Sequence, residues 1–210
     1  MLSKIQYISQ GTTVEEQIQN ISTVLEAGCK WIQLRFKNAS KDEFKATALK
    51  AKQLCKEFEA TFIINDHVAL AKEIDADGVH LGLTDTSIEN ARSILGFDKI
   101  IGGTANTLED VLQRIEEKCD YVGLGPYRFT STKEKLSPIL GLQGFKEIVK
   151  QLDMTDKNIP IYAIGGIELN DIDAIIDAGI YGIALSGILT NQKDTKEIVT
   201  QLNQKTHANA

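Results

Sequence analysis

The chain has 210 residues, 42% hydrophobic and 25% charged, with a formal net charge of −6. That is the balance of one soluble globular domain large enough for a sizeable core. It excludes a general nucleic-acid binder, which needs a basic footprint, but still allows a cationic pocket for a small anion, because such a pocket acts at short range. The three cysteines, Cys29, Cys55 and Cys119, show neither metal-ligand nor C-x-x-C spacing, as expected of reduced thiols in a cytoplasmic protein. The opening MLSKIQYISQG holds no long apolar run, so neither a signal peptide nor a membrane partner is expected.

Taken in chain order, short β-branched runs alternate with helical periods. KIQYIS (4–9) reads as a strand, followed by a helix over 14–28 with apolar residues at 14, 18, 21, 24 and 25 and Gly28 as its stop. WIQLR (31–35) leads into a long amphipathic helix over 41–59 that turns Phe44, Ala48, Leu49, Ala51, Leu54, Cys55 and Phe58 to one side. The rhythm continues with strands at 61–65, 78–81, 99–104, 121–125, 160–165 and 181–186. The helices between and after them fall at 67–74, 87–95, 107–117, 142–152, 169–179 and 194–204. Thr107 with Asp110 makes a weak capping pair, and Ser87 with Asn90 does not complete a box. No linker divides the chain. Strict alternation implies parallel strands, since parallel neighbours need a crossover helix. Eight units suit an α/β protein of the (β/α)8 TIM-barrel type, one domain over 1–210, with about 190–210 as a C-terminal helix and polar tail. An open nucleotide-binding sheet would favour a glycine-rich turn after its first strand, and SQGTTVEE does not supply one.

In such a barrel, chemistry gathers where strands give way to helices. Those positions hold Gln33, Arg35 and Lys37, then Asn65, Asp66 and His67, then Asp85, then Thr104. The sixth strand opens into a loop with Arg128, Thr130, Ser131, Thr132 and Lys133, and the last two end in Gly165-Gly166 and Ser186-Gly187. Arg35, Lys37 and Lys133 are cations suited to phosphate oxygens. Asp66 and Asp85 are hard oxygen ligands that suit Mg2+ shared with phosphate. The glycines allow close backbone approach and offer N–H groups where this fold commonly holds phosphate. Taken singly, each has a plainer reading. Asp66 could cap the next helix, Gly165-Gly166 could be only a turn, and Lys133 could be a solvated charge. His80, inside a strand, reads as a packed core histidine. Asp75 and Asp77 fall at the opposite strand ends, where stability residues sit. The common location of the remaining candidates argues for a site.

The segments IQLRFK (32–37), IINDHVALA (63–71), ADGVHLGLTD (76–85), IIGGTANT (100–107), YVGLGPYRFTSTK (121–133) and AIGGI (163–167) lie in order and together resemble the thiamine-phosphate synthase family from about Lys4 to Leu189. The resemblance implies a TIM-barrel transferase of thiamine biosynthesis. It would join 4-amino-2-methyl-5-pyrimidinylmethyl diphosphate to thiazole phosphate, releasing diphosphate with Mg2+ as cofactor. By the family's pattern, Gln33, Arg35, Lys37 and Asn65 hold the pyrimidine diphosphate. Asp66 and Asp85 hold Mg2+, and Thr104 replaces a usual serine near the pyrimidine. Thr130 and Thr132 face the thiazole phosphate and Lys133 faces the diphosphate, and the loop's hydroxyls, Ser131 included, are expected to grip phosphate oxygens of both substrates. Gly166, Leu185 and Ser186 complete the thiazole phosphate pocket. Arg35, Lys37 and Lys133 would stabilise the departing charge, and the resemblance suggests a homodimer.

The chain departs from the pattern at Leu83, where the family often has Gln, and at Asn106, where His is common. It departs again at Arg128-Phe129-Thr130, where the family's loop commonly reads FPT. Arg128 could there add a cation or only a surface charge. The last strand, GIALSG, looks one residue short. A thiazole tautomerase on the same barrel and a non-enzymatic phosphate binder are the alternative readings.

Overall fold

The computed structural model describes residues 2–129, 138–154, 158–190 and 194–207. Eight parallel strands close into a barrel in sequence order: β1 (Ile5–Ile8), β2 (Trp31–Leu34), β3 (Thr61–Asn65), β4 (Gly78–Leu81), β5 (Ile100–Ala105), β6 (Tyr121–Leu124), β7 (Ile161–Ile164) and β8 (Gly182–Leu185). Between them run α1 (Val14–Glu26), α2 (Lys41–Glu57), α3 (Val68–Glu73), α4 (Ile88–Leu95), α5 (Leu108–Glu116), α6 (Gly141–Asp153) and α7 (Ile172–Asp177). The short α8 (Gly187–Thr190) and α9 (Thr195–His207) follow the last strand. No helix among the described residues is long and apolar enough to cross a membrane.

Side chains alternate across each strand. Tyr7, Ile32, Leu34, Phe62, Ile64, Val79 and Ile101 join the core cluster shared with the helices. Their neighbours Ile8, Trp31, Ile63, Tyr121, Tyr162 and Ala184 form a second cluster inside the ring. Trp31 meets Tyr121 and Tyr162 edge-on, with ring centroids 4.9 and 5.0 Å apart. These rings take the space of missing side chains. A Cβ on Gly102 would lie 2.1 Å from the Tyr121 ring, and one on Gly182 would lie 2.6 Å from that of Tyr162. The aromatic plug fills the barrel's lower half. On β2 the period of two then lifts Gln33 above Trp31, in register with Ile8 and Ile63.

The expected elements are present, with local differences. The capping pair of Thr107 and Asp110 is a complete reciprocal box, and Ser40 with Glu43 makes another at the start of α2. Ser87 accepts from Asn90 N without a return bond. Leu49 does not share the buried side of α2 but is 49% exposed, because it lies roughly 140° around the helix from Phe44. The stretch 169–179 divides into a 3-10 turn (Leu169–Asp171) and α7. β5 runs one residue further than expected, to Ala105, and α8 was not legible as a helix. At the lower ends of the strands, Asp77 accepts from Phe62 N at 2.7 Å, and Asp75 pairs with Lys99 at 2.6 Å. Both are structural, as their position implied.

Candidate active site

Above the aromatic plug, a cavity of about 440 Å3 opens at the C-terminal ends of the strands. Gln33, Arg35, Asn65, His80 and Thr104 line one half, and Pro126, Gly165, Gly166, Leu185 and Ser186 line the other. A recess of about 260 Å3 continues from Arg35 and Asn65 over Lys37 to Asp66 and His67. A separate concavity of about 410 Å3 at the opposite end of the barrel, lined by Glu59, Asp77, Asp98 and Lys99, contains none of the strand-end candidates.

On the β2–β4 side the alternation that buries Trp31 places Gln33 in the cavity. Gln33 Nε2 donates to Asn65 Oδ1 at 2.8 Å, while Gln33 Oε1 is buried with no hydrogen-bond partner among the described residues. An orphaned buried acceptor costs about 1–3 kcal/mol, which a donor on a bound ligand would offset. The Arg35 backbone is pinned by Ser9 Oγ, 2.9 Å from its N–H, and by Gln17 Nε2, 3.3 Å from its carbonyl. Burial lowers the pKa of its guanidinium, and the negative charge of Asp66 opposes that shift.

The turn from β3 to α3 is tight. His67 N donates to Asn65 O, Val68 N donates to Asp66 O, and Asp66 sits at φ 67°. Left-handed backbone at a non-glycine residue costs roughly 1–2 kcal/mol, although Asp tolerates it better than most. The N-cap of α3 is His67, with no side-chain cap bond, so Asp66 is not a capping residue. Its carboxyl instead meets that of Asp85, which also accepts from Gly82 N at 2.6 Å. Asp66 keeps one side open to solvent, yet partial desolvation is still the strongest influence on it. With the hydrogen bond and charge of Asp85, it outweighs Arg35 and Asn65 and raises the pKa to about 7. Two carboxylates in contact share a proton unless a cation lies between them. The pair therefore fits a divalent ion. No group of three or more His, Cys, Asp or Glu converges among the described residues. Such an ion would take its remaining ligands from outside the pair, as Mg2+ does with phosphate oxygens.

Arg114, on α5, carried no signal in the sequence but is buried behind this half of the site. Its Nε donates to Thr104 O at 3.1 Å and its Nη2 to Gly82 O at 3.1 Å, tying the Asp85 loop to the end of β5. Its Nη1 pairs with Glu117 at 2.7 Å.

The β6–β8 side is built from backbone. Tyr127 N donates to Ile164 O and Arg128 N to Gly165 O, both at 2.9 Å, so the β6–β7 pairing continues past the strands. Gly165 and Gly166 have φ of 95° and 66°, and a Cβ on Gly166 would lie 2.8 Å from Arg128 Cβ. Arg128 is neither a ligand-facing cation nor a bare surface charge. Its Nη2 donates to Asp171 Oδ1 at 2.6 Å, and its Nη1 donates to Asp171 Oδ2 and, at 3.0 Å, to Gly166 O. Desolvation pushes the Asp171 pKa up, but the bonds from Arg128 and from Glu168 N hold it below the usual carboxylate value. Asn106 Nδ2 donates to Gly125 O, bracing β5 against β6. Ser186 Oγ donates to Ile8 O at 2.6 Å. With that hydrogen engaged within the barrel, Ser186 is left its backbone for donation to an anionic ligand. Leu185 is buried and borders the cavity, whereas Leu83 is exposed. Lys37 is exposed at the edge of the recess. Thr130, Ser131, Thr132 and Lys133 lie outside the described residues.

Residues 6–189 match the family model described as thiamine monophosphate synthase. The chain is 58% identical to a thiamine-phosphate synthase of Flavobacterium psychrophilum, over 98% of this chain and all of that one. It is 53% identical to a thiamine-phosphate synthase of Flavobacterium johnsoniae, over 100% and 99% of the two chains. A solved thiamine phosphate pyrophosphorylase from Pyrococcus furiosus superposes with a TM-score of 0.85 at 30% identity, covering 98% of this chain and 96% of that one.

Proposed function

Because the chain belongs to the thiamine monophosphate synthase family, we propose that its cavity joins 4-amino-2-methyl-5-pyrimidinylmethyl diphosphate to thiazole phosphate, releasing diphosphate and forming thiamine phosphate. One observation carries this reading. A contacting carboxylate pair, Asp66 and Asp85, lies beside Arg35 at the rim of a cavity whose other wall is the left-handed Gly165-Gly166 turn.

The reaction asks for little acid–base chemistry. The carbon–oxygen bond to diphosphate breaks, the amino-substituted pyrimidine carries the resulting positive charge, and the thiazole nitrogen closes on that carbon. Gln33 Oε1 is a ready acceptor for the amino group, and an acceptor there favours charge spreading onto that nitrogen. Mg2+ held by Asp66 and Asp85 would neutralise charge on the diphosphate oxygens. Arg35 and Lys37 add fixed positive charge from the β2 end, and Lys133 is assigned the same task from the family pattern. The Gly166 turn and the Ser186 backbone would anchor the thiazole phosphate, holding the nucleophile in line. The buried aromatic cluster closes the floor of the cavity, so that water, which would capture the cation, has no access from below. The buried, reduced thiols of Cys29, Cys55 and Cys119 suit work in the cytoplasm.

Incubating purified protein with both substrates tests the reading. Thiamine phosphate and diphosphate should appear in equal amounts and only with Mg2+. Thiazole isomerisation without diphosphate release would replace this reading with the tautomerase one.

A further inference from the structure

His80 is a cavity-lining side chain that the condensation leaves without a task. It is 6% exposed on β4, and both of its ring nitrogens are engaged. Nδ1 lies 2.8 Å from Tyr121 Oη and Nε2 lies 3.0 Å from Thr104 Oγ1. Tyr121 is fully buried, and its oxygen already accepts from Gln6 Nε2 at 3.2 Å. The imidazole is fitted from the side as well, since a Cβ on Gly123 would lie 3.0 Å from His80 Cε1.

We infer that Gln6, Tyr121 and His80 form a positioning relay that holds His80 as its Nε2–H tautomer and so makes Thr104 a hydrogen-bond donor aimed into the cavity. The directions follow from counting protons. Gln6 donates to the Tyr121 oxygen, so the phenolic hydrogen is the one left to point at His80 Nδ1, which must accept it. A neutral imidazole then carries its hydrogen on Nε2 and donates it to Thr104 Oγ1. The threonine hydrogen is left to face the ligand. The reverse order would place two donors on the Tyr121 oxygen and strand the phenolic hydrogen in a dry core, a costly arrangement. The cavity thus presents an acceptor from β2, Gln33 Oε1, and a donor from β5, Thr104. That pair matches a heterocycle bearing both an amino group and an unprotonated ring nitrogen. This selectivity for the aminopyrimidine rests on the function proposed above, whereas the tautomer does not.

The chain has three histidines, so long-range proton–nitrogen NMR of histidine-labelled protein, with His80→Gln to assign the signal, reads the tautomer directly. The relay predicts a single Nε2–H form in the ligand-free protein and a mixture in Tyr121→Phe. A dominant Nδ1–H form in the wild type, or an unchanged signal in Tyr121→Phe, overturns it. In kinetics, Thr104→Val should raise KM for the pyrimidine diphosphate about tenfold, leaving KM for thiazole phosphate unchanged, and Thr104→Ser should stay within about twofold of wild type. Equal losses in the valine and serine variants also overturn it. A wild-type protein that shows the Nε2–H form but makes no thiamine phosphate would sink the proposed function and leave the relay standing.

Discussion

Under the proposed function, the two halves of the rim would meet the same demand, holding an anion, by different means. The β2–β4 half uses charged side chains: Arg35, and the carboxylates Asp66 and Asp85 pressed against each other. The β6–β8 half uses backbone shape, a left-handed Gly165-Gly166 turn braced by a guanidinium that faces Asp171. The carboxylate pair is under electrostatic tension that a cation relieves. The glycine turn is under steric constraint that only its own small residues relieve. The first half should therefore answer to pH and metal, and the second to substitution of shape.

The largest expected effect lies in the carboxylate half. Asp85→Ala removes one carboxylate and leaves Gly82 N without its acceptor. Diphosphate release should fall on the order of 100-fold, with the Mg2+ requirement raised steeply. A near-normal rate and an unchanged Mg2+ titration would break the assignment.

A smaller effect is expected across the rim. Asp171→Ala frees Arg128 and, through it, the Gly166 carbonyl. KM for thiazole phosphate should rise roughly threefold, a modest change because the pair is partly solvated. The Mg2+ dependence should stay as in the wild type, and a shift in it would blur the division between the halves.

The smallest signal is one of stability. The unfolded chain releases the Asp66 proton near 3.8, while the folded pair retains it to about 7. In metal-free protein the stabilisation from this proton is full at low pH and is lost as pH rises through that window. The melting temperature should carry a downward slope there that Asp66→Asn or saturating Mg2+ removes. An identical slope in Asp66→Asn would place its origin elsewhere.

The contrast also explains what could be read from the sequence. The barrel was legible because eight alternations of strand and helix leave few other topologies. The shared location of Gln33, Arg35, Asn65, Asp66 and Asp85 was legible because it follows from strand ends. Arg128 was not, because its role depends on meeting Asp171, 43 residues away in the chain. Arg114 looks like an ordinary polar position of α5 and becomes visible only when Thr104 O and Gly82 O converge on it. His80 was half legible. The period of two buries it, but the bonds to Tyr121 and Thr104 come from register across three strands. Ser186 was expected to offer its backbone, and the bond from its hydroxyl to Ile8 O could not be read from the sequence.

The division of labour is tested most directly by measuring both substrate KM values in Gly166→Ala beside Asp66→Asn. A methyl group at Gly166 meets Arg128 at 2.8 Å in left-handed backbone, so KM for thiazole phosphate should rise about tenfold with that for the pyrimidine diphosphate unchanged. Asp66→Asn should show the opposite pattern and an altered Mg2+ dependence. Both variants weakening the two substrates alike would contradict a rim made of two separate anion holders.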